Sequence, residues 1–156
     1  MMFAFRLVRL IETHSDELAA GLLRRVQASD LTASYRNVPS GDLQQTVYEI
    51  YRHLGDWLLG KSEFDIERRY IEIGAKRAEQ GVLLSQLTMT IILTKENLWE
   101  FLKQKAELQR PVEAFGELEM LQLLDKFFDS AIYYAAAGYE RHMAHNTAGV
   151  EKIAGA

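Results

Sequence analysis

Apolar residues along this chain recur every three or four positions, the spacing that places them on one face of an α-helix. The alternation typical of strands is nearly absent, so the pattern predicts an all-α fold. A bend near residues 13–16 interrupts the first helical stretch, and the turn-rich sequence "ASDLTASYRNVPSG" follows the next one. The predicted helices cover about 3–12, 18–26, 42–58, 62–80, 85–105 and 111–142.

Small and rigid residues mark the ends of these helices. Ser62 follows "GK" and is suited to begin a helix, while Pro111 suits the first turn of the last one. In the stretch "IGAKRAEQGVLL", residues 73–84, Gly81 lies just beyond a polar helical segment. Glycine tolerates the left-handed conformation that closes a helix. We therefore predict that Gly81 ends one helix so that the next can pack back against it.

Composition and charge narrow the class of protein. The 156 residues are 48% hydrophobic and 26% charged, which is typical of one soluble globular domain. The net charge is −4 and no cationic stripe is present, so nucleic acid is not an expected partner. Because the chain has no cysteine, disulfides, thiolate zinc sites and cysteine nucleophiles are excluded.

Membrane association is not expected either. The longest uncharged run, residues 80–94, is shorter than the ~20 residues needed to span a bilayer. Arg6 and Arg9 interrupt the apolar N-terminal run, which leaves no signal-peptide core. We expect a cytoplasmic protein.

Motifs for catalysis or metal binding are weak. The "GKS" at 60–62 lacks the upstream glycine of a phosphate-binding loop. Glu49 and His53 are one helical turn apart, but no second such pair exists to complete a metal site in a helical bundle. His142 and His145 are better explained as complements to a helix dipole. The sequence predicts no enzyme, no catalytic residue and no metal.

The last helix carries two apolar stripes, whereas a surface helix of a monomer needs only one. Small residues at 135–138 would let a second backbone approach closely. One interpretation is a symmetric homodimer built on this helix; the other is a central core helix within a monomer. The candidate dimer-interface residues are Met120, Leu123, Phe127, Ala131, Tyr134, Ala135, Gly138 and Tyr139.

Three segments, "IETHSDELAAGLLRRV" (11–26), "SYRNVPSGDLQQTVYEIYRHLGDWL" (34–58) and "YIEIGAKRAEQGVLLSQLTMTIILTKENLWEFL" (70–102), resemble the N-terminal domain of the RsbR/RsbRD-type co-antagonists. Members of this bacterial stress-signalling family look like globins that bind no haem, and they usually dimerise. The resemblance implies a globin-like bundle of five to seven helices in one domain over residues 1–145. Residues 146–156 are small and polar and are expected to form a frayed tail. It also implies a non-catalytic sensory or interaction role, with a signalling partner or a downstream output domain.

Residues 73–82 also resemble the pattern I-G-x-x-H-x-x-x-G-L of haem-binding globin-coupled sensors, in which the histidine is the proximal iron ligand. Arg77 stands at the histidine position. A guanidinium has no lone pair to offer iron, and no histidine occurs between His53 and His142. This departure from the pattern therefore predicts that the chain binds no haem. We expect no other cofactor either.

Without haem, the corresponding space is either filled by side chains, which we expect, or left as a cavity that could accept a small ligand. A small-ligand-binding or haem-binding globin-like sensor is the alternative function. The candidate residues lining this space are Phe64, Tyr70, Leu87, Ile91, Leu98 and Trp99.

Overall fold

A computed structural model describes the backbone of residues 2–105 and 111–154 and the side chains within residues 6–104 and 118–147. Over those backbone ranges the chain forms six α-helices, a 3-10 segment (Asp30–Asn37), a π-helical turn (Asp56–Gly60) and no strand. The all-α prediction is confirmed. The α-helices are α1 Met2–Thr13, α2 Ser15–Ala28, α3 Ser40–Arg52, α4 Glu63–Glu79, α5 Leu84–Lys105 and α6 Pro111–Ala154.

The start of α4 is fixed by a capping box. The Ser62 hydroxyl accepts a hydrogen bond from the Asp65 backbone N–H at 3.3 Å, and the Asp65 carboxylate accepts one from the Ser62 backbone N–H at 2.9 Å. These bonds with Ser62 hold the pKa of Asp65 below its ordinary value. The reciprocal pairing satisfies backbone donors that would otherwise lack a partner in the first turn, so the predicted start at Ser62 is confirmed.

The end of α4 is closed by Gly81, as predicted. Gly81 has φ +79°, in the left-handed region. Its N–H donates to the Ala78 carbonyl at 3.1 Å, and the Val82 N–H donates to the Arg77 carbonyl at 3.0 Å. This pair of bonds is a Schellman motif, which reverses the chain so that α5 can begin at Leu84.

The long helix α6 crosses α4 with almost no space between the two backbones. A Cβ atom built on Gly74 of α4 would lie 1.9 Å from the carbonyl oxygen of Ala135. A Cβ atom on Gly138 of α6 would lie 2.3 Å from the carbonyl oxygen of Ile71. Real Cβ contacts are never so short, so both positions accept only glycine in this arrangement.

The core forms around this crossing. Tyr70 and Phe127 meet edge to face, with ring centroids 5.8 Å apart, and Phe127 meets Phe128 in the same way at 5.4 Å. Leu22 of α2, Tyr51 of α3 and Leu98 of α5 are fully buried in the same cluster. Every one of the first five α-helices therefore contributes side chains that pack, directly or through neighbours, against α6.

Three boundaries differ from the sequence prediction. The α3 helix ends at Arg52, and the next stretch widens into the π-helical turn. The loop predicted before α3 contains the 3-10 segment, in which Thr32 Oγ1 donates to the Val26 carbonyl at 2.7 Å. The α6 helix continues to Ala154, so residues 146–154 are helical where a frayed tail was expected; residues 155 and 156 lie outside the described residues.

Within the described part of the chain, no helix combines the length and the apolar content required to cross a bilayer.

The α4–α6 crossing predicts a strong destabilising effect of adding one methyl group at either glycine. Gly74→Ala and Gly138→Ala should each lower the free energy of unfolding by about 3 kcal/mol or more, because the new Cβ displaces backbone rather than a flexible side chain. Urea unfolding followed by circular dichroism measures this loss.

The matched control is Gly41→Ala in the first turn of α3, where a new Cβ meets nothing within 4 Å. This variant should be as stable as the wild type or slightly more stable, since alanine favours helix. Equal stability of all three variants would contradict the proposed contact.

Candidate functional site

Arg77 lies in the last turn of α4 and is the only charged side chain buried in the core of the described residues, with 2% of its surface exposed. Its Nη1 donates a hydrogen bond to Gln80 Oε1 at 2.8 Å. Its Cζ lies 5.8 Å from the ring centroid of Tyr35. The position near the helix C-terminus favours a cation because the last carbonyls carry partial negative charge.

A cavity of about 40 Å³ lies beside Arg77. Three of the predicted pocket residues, Tyr70, Leu87 and Ile91, line it. Leu98 is fully buried elsewhere in the core, and Trp99 is half-buried against the core. Phe64 lies outside the cavity and is 66% exposed. The remaining walls are formed by Tyr35, Leu43, Thr46, Val47, Ile50, Ile73, Thr90, Thr94 and Phe128.

The residues at this cavity do not fit haem. Pockets for ligands of that size occupy ~300 Å³ or more, whereas the space beside Arg77 is about 40 Å³. Residue 77, which the sequence pattern aligns with a proximal histidine, is an arginine, and a guanidinium offers iron no lone pair. Ile91 and Phe128 are among the side chains that line this small space.

Buried tyrosines surround the site and stay neutral. Burial raises the pKa of Tyr35, and the neighbouring Arg77 charge acts in the opposite direction. Burial likewise raises the pKa of Tyr51 and of Tyr70 far above the ordinary phenol value. The Tyr51 hydroxyl donates to the Thr94 carbonyl at 2.9 Å. Around Arg77 the core therefore supplies neutral hydroxyls and no negative charge from tyrosine.

A second, larger space of about 470 Å³ lies between the end of α2, the 3-10 segment and the start of α3. Its lining mixes apolar side chains such as Val26 with the charged side chains of Asp30 and Arg36. Tyr35 and Leu43 separate it from the cavity beside Arg77, because both residues line both spaces. No sequence motif pointed to this groove.

Most of the predicted dimer-interface residues lie inside the protomer. Tyr134 and Tyr139 are half-buried, and Leu123 is 38% exposed. The side of α6 that carries Ala135 and Gly138 packs on α4 of the same chain. The buried candidates therefore cannot form a surface between protomers unless the protomer unfolds. The buried candidates are Met120, Phe127, Ala131, Ala135 and Gly138.

The outer side of α6 carries exposed apolar surface that was not predicted from the two apolar stripes of this helix. Tyr133 is 69% exposed and meets Tyr134 edge to face, with ring centroids 5.4 Å apart. Glu63 at the start of α4 accepts hydrogen bonds from Ser130 and from Tyr134, each at 3.1 Å. Phe64, the next residue of α4 after Glu63, is 66% exposed. The sequence does contain a signal for this exposed side, because a helical projection of α6 places Tyr133 opposite Ala131 and Ala135.

The acidic and histidine residues singled out in the sequence do not converge. Glu49 accepts a hydrogen bond from Gln45 at 3.1 Å and lies 3.6 Å from the Arg69 guanidinium. His142 pairs with Asn146 at 3.2 Å on exposed helix. Among the residues that the structure describes, no group of three or more possible metal ligands comes together.

These features define an all-α domain with a buried arginine at its centre and one long helix running from the core to the exterior. The family described as the RsbT co-antagonist protein rsbRD N-terminal domain matches residues 15–150. The chain belongs to this family, and the resemblance drawn from its sequence is confirmed. No curated protein and no solved structure matches the chain.

The size of the cavity leads to a prediction about haem. Adding haem to the wild-type protein should give no stoichiometric Soret shift. Arg77→His should give none either, because the variant would supply an iron ligand but the cavity would still be too small for haem. Visible absorption titration measures both. A saturable Soret shift in the histidine variant alone would mean that the core opens readily and that residue 77 decides binding.

Proposed function

We propose that this chain is a non-catalytic sensory or protein-interaction domain of bacterial stress signalling that acts as a homodimer in the cytoplasm. Membership in the rsbRD N-terminal domain family supports the stress-signalling role. The observation that carries the proposal is α6, whose inner face is buried on α4 and whose outer face presents exposed aromatic surface. A helix of this kind can connect the packing of the core with a second subunit or a partner.

The absence of a reactive centre in the described residues supports a non-catalytic role. Catalysis needs an acid, a base or a nucleophile held together in a cleft. Here the cavity beside Arg77 is lined by apolar side chains, threonines and neutral tyrosines. The ion pairs Arg69–Glu49 and Lys76–Asp42 lie on the surface.

The proposed dimer surface consists of Phe64, Leu123, Tyr133 and Tyr134. Tyr133 and Phe64 are more than half exposed, and both are large aromatic residues, the type that contributes most to protein interfaces. The hydrogen bond of Tyr134 to Glu63 holds one edge of this surface in place. A second copy seated here would remove apolar area from water without disturbing the α4–α6 crossing.

The proposed mechanism is a shift in helix packing transmitted along α6. This helix has 44 residues, or about 66 Å at 1.5 Å per residue. Its middle is buried at Ala131 and Ala135, while residues 143–147 are exposed. A signal that favours one packing of α4 on α6 would therefore change the position of a segment far from the core.

A globin-like arrangement without haem is part of the same proposal. Its support is the frame of Ile73, Gly74 and Gly81 around Arg77, with Gly81 ending a helix at the expected place. The buried guanidinium would then occupy the position where haem globins hold the iron ligand.

The dimer surface gives a direct prediction. The wild-type chain should have the mass of two chains in light scattering at micromolar concentration, and Tyr133→Glu should shift it to the mass of one, because a carboxylate would be desolvated in the interface. Leu31→Glu is the matched control, since Leu31 is also exposed, at 60%, but lies on the 3-10 segment, which packs on α2 and α5. It should leave the mass unchanged.

A wild-type mass of one chain at every concentration would reject the homodimer. Dimers that persist in Tyr133→Glu would place the interface elsewhere. Ala135→Glu is not a useful probe of the dimer. Ala135 is fully buried at the α4–α6 crossing, so a glutamate there would unfold the protomer itself.

A further inference from the structure

Buried hydrogen bonds hold α5 to two neighbouring helices. The Tyr51 hydroxyl of α3 donates to the Thr94 carbonyl of α5 at 2.9 Å. The Asn97 side chain of α5 donates to the Leu18 carbonyl of α2 at 2.9 Å. Because both bonds are shielded from water and end on a fixed backbone acceptor, they resist sliding of one helix on the other. Helices α2, α3 and α5 are therefore joined as one unit.

The 3-10 segment is joined to the same helices. Gln86 Oε1 of α5 accepts hydrogen bonds from the Ser34 N–H, at 2.6 Å, and from the Ser34 hydroxyl. The next residue, Tyr35, is buried, and its hydroxyl is hydrogen-bonded to the side chain of Thr90. Two successive residues of the segment are thus fixed to positions one turn apart on α5. We call α2, α3, α5 and the 3-10 segment the α5 unit.

Among the described side chains, α4 reaches the α5 unit through one buried hydrogen-bonded contact. The Arg77 guanidinium is hydrogen-bonded to the Tyr35 side chain, and its Cζ lies 5.8 Å from the centroid of the Tyr35 ring. A guanidinium can only donate, so the Tyr35 oxygen accepts from Arg77 and the Tyr35 hydroxyl donates to Thr90. Thr90 in turn donates to the Gln86 carbonyl at 2.9 Å. A chain of donors therefore runs from α4 through the 3-10 segment into α5, and each bond polarises the next.

The remaining attachments of α4 to the α5 unit are weak. The ion pairs Arg69–Glu49 and Lys76–Asp42 have N–O distances of 3.6 and 3.7 Å, and their side chains are 32–55% exposed. Exposed pairs of this kind contribute little to stability. The cavity of about 40 Å³ beside Arg77 lies where α3, α4 and α5 meet, and atoms that line a void lack packing partners on that side. Neither the surface pairs nor the packing at the cavity therefore fixes the position of α4 firmly.

We propose that the contact between Arg77 and Tyr35 is a latch that fixes the end of α4 to the α5 unit. When the latch opens, the end of α4 is held to this unit only by surface contacts, including the exposed hydrogen bond of the Leu83 N–H to the 3-10 segment. The helix can then shift at its crossing with α6. The shift reaches α6 directly, because the Val82 carbonyl accepts the Tyr139 hydroxyl of α6 at 2.6 Å. This inference rests on the proposed packing mechanism and adds the contact that restrains it.

Hydrogen–deuterium exchange of the wild-type chain and of Tyr35→Phe tests the latch. The variant keeps the buried ring and loses the hydroxyl that joins Arg77 to Thr90. Amides in the second half of α4 and in the turn at 80–83 should exchange at least about tenfold faster, because a hydrogen bond to a charged group is lost. Amides of α2 and of the second half of α5 should keep their wild-type rates.

Tyr51→Phe is the matched control, because it removes a buried hydroxyl from a bond within the α5 unit, the one to the Thr94 carbonyl. It should speed exchange in α3 and α5 and leave α4 at the wild-type rate. An unchanged rate in α4 of Tyr35→Phe would overturn the latch. So would the same response of α4 in both variants, or equal acceleration of every helix in Tyr35→Phe.

A double-mutant cycle with Arg77→Met gives a second measurement. Because both substitutions remove the same contact, exchange of α4 in the double variant should be no faster than in Arg77→Met alone. Effects that multiply would mean two independent contacts and would overturn the latch. The comparison of the two tyrosine variants decides the question even if Arg77→Met does not fold.

Light scattering keeps this test separate from the test of the homodimer. Failure of the latch leaves the mass of the wild-type chain unchanged, whereas a mass of one chain leaves the difference in exchange between Tyr35→Phe and Tyr51→Phe intact.

Discussion

The contact between the backbones of α4 and α6 constrains the rest of this structure. Gly74 and Gly138 leave no room for a Cβ atom on either helix, so the two helices lie closer than side-chain packing allows. Close approach buries the inner face of α6, including Ala131 and Ala135. The same approach brings Tyr139 within reach of the Val82 carbonyl, which ties the α4–α5 turn to α6. Packing of the core, position of the turn and exposure of the outer face of α6 all follow from this one crossing.

Arg77 gives the site its chemical character, and its place in the chain explains why it can be buried. It is the third residue from the end of α4, where helix carbonyls favour a cation. Its backbone carbonyl takes part in the Schellman motif that Gly81 closes. The backbone of Arg77 is fixed by this motif, and its guanidinium is held by the hydrogen bond to Gln80. The side chain therefore loses little further conformational entropy when it is buried. The fold thus keeps a charge in its core without an acidic residue beside it among those described.

Local signals in the sequence predicted the framework well. The helix start at Ser62, the helix end at Gly81 and the first turn at Pro111 each depend on residues within one turn of the boundary, so they can be read without a tertiary structure. The faces of α6 could not be assigned in this way. Two apolar stripes fit a dimer and a central helix equally well, and only the position of α4 decides between them for residues such as Phe127 and Ala135. Phe64 shows the same limit, since a large apolar residue predicted for the pocket lies on the surface at 66% exposure.

The glycine crossing also determines how α6 can move. Side chains that interlock across a helix pair resist rotation, but two backbones in direct contact at glycines present smooth surfaces, so one helix can tilt on the other about that point. Ala154 lies 16 residues beyond Gly138, about 24 Å along the helix. A tilt of about 5° at the crossing would displace its end by about 2 Å. In the proposed mechanism, the glycines would let a small angular change in the core displace the far end of α6 by a distance that a neighbouring protein surface could detect.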